Sequence, residues 1–102
     1  METTITTRHG EIADALRVRA ERVIERLARL ATRPTAGHVT FGVDHQRATA
    51  EVRLTAARGV VYVASGEAAD HRTALDRAVA KLRRQLDKQE ANPRRRAGSA
   101  RR

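Results

Sequence analysis

The chain has 102 residues, 21 of them basic and 12 acidic, for a formal charge of +9. That length makes one domain. The absence of cysteine excludes disulfides, zinc–thiolate sites and thiol catalysis, and it fits a reducing compartment. No apolar run approaches transmembrane length, and the Met-Glu-Thr-Thr start has neither a signal h-region nor a cationic lead, so the chain reads as cytoplasmic. Before Pro93 there are 16 bases against 12 acids, a body charge of +4, and five arginines follow in the last ten residues. A surplus of this kind favours a polyanionic partner. Phe41 and Tyr62 are the only aromatics, which leaves little to stack bases on. Phosphate and shape recognition should therefore dominate.

In chain order, the Thr-rich segment 3–8 around Ile5 predicts a short strand. Residues 11–31 predict the first helix, with Leu16, Ala20, Val23, Leu27 and Leu30 stepping by 4, 3, 4 and 3 as its apolar stripe. Residues 32–37, with Pro34 and Gly37, break it. Alternation of Val39, Phe41 and Val43 predicts a half-buried strand over 38–44. Ala48, Ala50, Val52 and Leu54 predict another over 47–56, across a tight link at 44–46. Ala57-Arg58-Gly59 then turns into a strand over 60–65, rich in valine and closed by Gly66 read as a turn glycine. Asp70 is placed to cap a second helix that runs to about residue 90, before Asn92-Pro93 stops it. Its apolar stripe is Leu75, Val79, Leu82 and Leu86. The order is βαβββα: an α+β domain over 1–92, with a four-stranded mixed sheet and two helices on one face. The other face can meet solvent. Residues 93–102 carry no periodic apolar residue and read as a disordered Arg-rich tail.

Both helices carry a row of cations in phase with their turns. On the first, Arg22, Arg26, Arg29 and Arg33 step by 4, 3 and 4, one residue out of phase with the apolar stripe, so the row should flank the buried face. On the second, Arg77, Lys81, Arg84 and Lys88 follow the same steps two residues out of phase, so they should point away from the core. One such row is commonly a solvated face. Two rows in one small basic chain point to a polyanion partner. With Arg94, Arg95 and Arg96 of the tail, these are the candidate residues for binding it.

The combination resembles the ribosome hibernation promoting factor family, also called the ribosome-associated inhibitor or sigma-54 modulation protein family. It is carried by V-A-S-G-E at 63–67, Asp70, A-L-D at 74–76 and K-L-R-R-Q-L-D-K at 81–88. E-I-x-x-A-L-R at 11–17 and A-E-V at 50–52 support it. The resemblance covers nearly the whole folded body and implies the short form of the family. It implies a translation-silencing factor that occupies the decoding region of the small ribosomal subunit, touches 16S ribosomal RNA and blocks messenger and transfer RNA. It further implies a monomer off the ribosome, with no membrane and no small-molecule substrate. The RNA contacts it implies are Arg22, Arg26 and Arg29, then Arg77, Lys81, Arg84 and Lys88. Two positions depart from the family pattern. Ala13 stands where Thr or Ser usually precedes the first helix, removing a cap worth about 1 kcal/mol. Arg72 stands where Tyr is common.

Nothing in the sequence assembles a catalytic, cofactor or metal site. His9, His38, His45 and His71 form no H-x-x-x-H pair and read as structural or solvent-exposed. Asp70-His71 beside Ser65 lacks a nucleophile elbow. A general double-stranded RNA-binding module, reading shape through phosphates and 2′-hydroxyls, is the alternative function.

Overall fold

A computed structural model describes residues 1–8 and 10–90; the expected tail, with Arg94, Arg95 and Arg96, and His9 lie outside the described residues. The elements are β1 (Glu2–Thr7), α1 (Asp14–Ala28), β2 (Ala36–Asp44), β3 (Arg47–Thr55), a short 3-10 turn (Ala57–Gly59), β4 (Val61–Ala68) and α2 (His71–Glu90). The sheet order is β1-β2-β3-β4. β1 runs parallel to β2, and the other pairs are antiparallel. This is the expected α+β arrangement, with α1 over β1 and β2 and α2 over β4 and β3.

Strand alternation builds the core. Ile5, Val39, Val52 and Ala64 lie across the sheet in register, as do Phe41, Ala50 and Gly66. Val39, Phe41, Val52 and Leu54 are fully buried beneath Ile24 of α1 and Leu75, Leu82 and Leu86 of α2. The β2–β3 hairpin turns on His45 and Gln46, both at positive φ (50° and 65°), the backbone of a tight two-residue hairpin.

Several boundaries differ from the sequence reading. α1 spans Asp14–Ala28, not 11–31. Ala13 sits at its start in extended conformation and offers no side-chain cap. At the other end, Arg29, Leu30 and Ala31 donate to Arg26, Leu27 and Ala28, a 3-10 tightening that ends the helix. Arg33 then takes a left-handed φ of 49°, so it leaves the helical row in which it was expected.

β4 continues through Gly66 to Ala68, so Gly66 is a strand residue and not a turn glycine. Its role is close packing. A Cβ at Gly66 would run into the Ala74 carbonyl oxygen and lie 2.7 Å from the Ala78 nitrogen. Only hydrogen at this position lets α2 lie so near β4. Gly59, with φ +71°, is a turn glycine as expected. Asp70 caps α2 as expected: Thr73 donates its backbone N–H to Asp70 Oδ1 at 2.7 Å and its hydroxyl to Oδ2 at 3.0 Å. The Thr73 N–H is the main cause holding the Asp70 carboxyl below its ordinary range.

Candidate RNA-binding surface

The orientation of each helix decides where its cations go. In α1 the buried residues are Ala20, Ile24, Leu27 and Ala28, while Leu30 of the expected stripe is 37% exposed. The buried face is therefore turned some tens of degrees toward Ile24 and Ala28. Arg22, Arg26 and Arg29 consequently lie on the outer surface, not beside the core. All three are exposed and form no ion pair among the described residues.

The acids of α1 occupy a different flank. Asp14, Glu21 and Glu25 share the stripe of Arg17, whose guanidinium reaches the Ile5 carbonyl of β1 at 3.5 Å. The side of α1 that faces α2 carries Arg19, which holds Asp76 through Nη2 (2.9 Å) and Nε (3.3 Å). Charge on α1 is thus partly segregated, with the acids and Arg17 toward β1 and the other cations outward and toward α2.

α2 turns the opposite way. Ala74 and Ala78 are fully buried beside Leu75 and Leu82, because Gly66 admits them. This brings the row of Arg77, Lys81, Arg84 and Lys88 to the flank over the free edge of β4. Arg77 Nη1 donates to the Glu67 carbonyl (2.7 Å) and Lys81 Nζ to the Ser65 carbonyl (2.9 Å). Gln85 Nε2 extends the series to the Val63 carbonyl (2.8 Å). Arg84 donates back to Ala80 at 3.4 Å. Lys88 borders a shallow hollow with Val60, Val61 and Gln85. The expectation that this row points directly away from the core is corrected: it skirts the sheet edge. Each contact uses a single N–H, and the remaining donors of Arg77 and Lys81 are open to solvent.

The stripe of α2 that faces α1 holds Arg72, Asp76, Val79 and Arg83, fixed there by the Arg19–Asp76 bridge. Arg83 makes a long contact of 3.9 Å with Asp87. Arg19, Arg72 and Arg83 therefore join the cationic surface, though the row pattern did not single them out. Arg72, four residues before Asp76, and Arg83, seven after it, share its helix face, which was the available signal; Arg19 lies on another element and left none. Arg33 sits past the end of α1, apart from the other candidates.

His71 and His38 serve the fold, while His45 is exposed at the β2–β3 turn. His71 Nε2 donates to the Gly42 carbonyl (2.9 Å), and its ring meets Phe41 edge-on at 5.6 Å. His38 Nε2 is paired with Thr6 Oγ1 at 2.9 Å on the open sheet face. Among the described residues no group of His, Asp and Glu is arranged to hold a metal ion, and no helix is long and apolar enough to cross a membrane.

No curated protein sequence matches the chain. Two of the solved structures that share the fold illustrate the likeness. The N-terminal domain of Protein Y from Thermus thermophilus is 29% identical, with a TM-score of 0.72 over 86% of this chain and 98% of that one. A ribosomal subunit interface protein from Coxiella burnetii is 22% identical, with a TM-score of 0.75 over 89% of this chain and 99% of that one. The family model described as Sigma 54 modulation protein / S30EA ribosomal protein matches residues 3–93. The chain belongs to that ribosome-associated family.

Proposed function

We propose that this protein binds the small ribosomal subunit, occupies its decoding region and silences translation by keeping messenger and transfer RNA out. Arg22, Arg26 and Arg29 on α1 and Arg77, Lys81, Arg84 and Lys88 on α2 contact phosphates of 16S ribosomal RNA. Arg33 and the tail residues Arg94, Arg95 and Arg96 add contacts at the periphery. The protein is a monomer until it binds. Inhibition follows from occupancy, with no covalent step.

The observation that carries this reading is the outer face of α1. Three arginines stand there in helical register without an ion-pair partner among the described residues, although Glu25 lies one turn from Arg22 and from Arg29. Unpaired guanidinium groups can take phosphate oxygens in bidentate fashion without first breaking an internal bridge. Family membership supplies the ribosome as the source of that phosphate.

Sedimentation with purified 30S, 50S and 70S particles tests it. The protein should travel with 30S and 70S and not with 50S. Arg22→Ala/Arg26→Ala/Arg29→Ala should melt like the parent, lose most of its binding and flatten the log–log salt dependence by roughly two to three. Unchanged co-sedimentation at every salt concentration would refute the assignment. Excess double-stranded RNA that displaces the protein at comparable concentration would favour general duplex binding instead.

A further inference from the structure

We infer that Arg77, Lys81 and Gln85 form a lock over the free edge of β4, and that this lock keeps the chain from pairing with a second copy of itself. β4 is an outer strand of the sheet, eight residues long, without proline, and in regular alternation. Its inward residues Tyr62, Ala64, Gly66 and Ala68 lie over the core. The carbonyls of Val63, Ser65 and Glu67 point outward, as their side-chain partners show. A long, regular edge of this kind is a template for another strand.

The lock works because two periods coincide. Four residues of α-helix advance roughly 6 Å, and two residues of strand advance roughly 6.6 Å. Positions 77, 81 and 85 of α2 therefore keep step with 67, 65 and 63 of β4 as the two elements run antiparallel. The carbonyls of Val63, Ser65 and Glu67 are each met at 2.7–2.9 Å by a side-chain N–H. An incoming strand would have to displace all three donors.

The occupant that the edge fits is a second β4. An antiparallel copy related by a two-fold axis sets Val61 opposite Glu67 and Val63 opposite Ser65. Those four residues alternate along the strand with Tyr62, Ala64 and Gly66, and the contacts to the carbonyls of Val63, Ser65 and Glu67 put the backbone groups of this set on the free edge. The same register places Val61 and Val63, now 46% and 37% exposed on the open face, against the neighbouring strand. The edge is thus complementary to itself in backbone pattern and in apolar area.

The test measures self-association without RNA, so it is independent of ribosome binding. Arg77→Ala/Lys81→Ala/Gln85→Ala is compared with the parent and with Arg22→Ala/Arg26→Ala by sedimentation velocity across a hundredfold concentration range. The second variant also removes two positive charges but leaves the lock intact. The parent and the charge control should stay monomeric. The lock variant should form a concentration-dependent dimer, and adding Val63→Lys, which sets a cation on the pairing edge, should restore the monomer. A folded lock variant that remains monomeric overturns the inference, and so does equal dimerisation of the charge control. If circular dichroism shows the lock variant unfolded, Lys81→Met/Gln85→Leu withdraws two donors while keeping the alkyl cover. The same outcomes then decide.

Discussion

Gly66→Ala should be among the most damaging single-methyl additions possible in this chain. The new Cβ would collide with the Ala74 carbonyl oxygen, sit 2.7 Å from the Ala78 nitrogen and lie 3.0 Å from Arg77 Cβ. Two of these are backbone atoms of α2 and the third is fixed to its backbone, so no rotamer change relieves the contact. α2 would have to retreat from β4 by about 1 Å, which loosens the packing of Leu75, Ala78 and Leu82 on the sheet. Overpacking that forces a backbone shift costs about 3 kcal/mol. For a domain of this size that corresponds to a fall in Tm of roughly 12 °C or more. Thermal and urea melts followed by circular dichroism would measure it. Gly59→Ala is the control: its Cβ meets nothing within 4 Å, so only the left-handed φ of 71° is penalised, at about 1 kcal/mol. A Gly66→Ala protein that melts within two or three degrees of the parent, or a Gly59→Ala protein that suffers more, would refute the close-packing account.

Leu82→Ala should cost about 2–5 kcal/mol in urea unfolding, because the side chain is fully buried between α2 and the sheet. Asp76→Ala should cost no more than about 1 kcal/mol in the same assay, since its bridge to Arg19 is well exposed on both sides. Asp70→Asn should alter the acid limb of stability. The hydrogen bonds from Thr73 hold the folded carboxyl below its ordinary range, so its contribution is present above the unfolded value and is lost as pH falls through the lower, folded one. Melts from pH 6 down to pH 2 should show a shallower decline for Asp70→Asn than for the parent. Deleting residues 93–102 should leave the Tm of the free protein nearly unchanged and lower ribosome affinity several-fold, more at low salt than at high; equal affinity at every salt concentration would assign the tail no role in binding.

The order of elements was legible because each left a separate mark. Alternation gave β2 and β3, heptad-like steps gave the helices, and Asp70 marked the start of α2. What the pattern could not supply was the rotation of each helix about its own axis. Leucine and valine dominate a count of apolar positions, so the stripe in α2 was centred on Leu75 and Val79. In the fold Val79 is only partly buried, while Ala74 and Ala78 reach zero exposure. Alanine says little about burial until something opposite it is small enough to admit it, and Gly66 lies on another element. The same glycine, read locally, looked like the end of a strand. Both misreadings come from one contact between residues 66 and 74–78, which joins a strand to a helix and so leaves no mark in the periodicity of either.

That rotation also explains why two rows with identical spacing end in different settings. α1 lies over β1 and β2, with α2 on one side, and its row Arg22, Arg26 and Arg29 projects from the outer surface without an internal partner. α2 lies over the last strand, so its row borders the outward carbonyls of that strand, and Arg77 and Lys81 donate to two of them. A cation beside backbone carbonyls is held in place and loses little further freedom on meeting a phosphate; a cation on an open helix face must be ordered when it binds. The two rows should therefore respond differently to substitution. Removing an α1 arginine should weaken RNA binding and leave the fold alone. Removing Arg77 or Lys81 should weaken binding and also open the β4 edge. Melting curves, self-association and ribosome affinity measured on single alanine variants of both rows would separate the two effects. Identical profiles from both rows would mean that the carbonyl contacts along β4 do nothing beyond what water does.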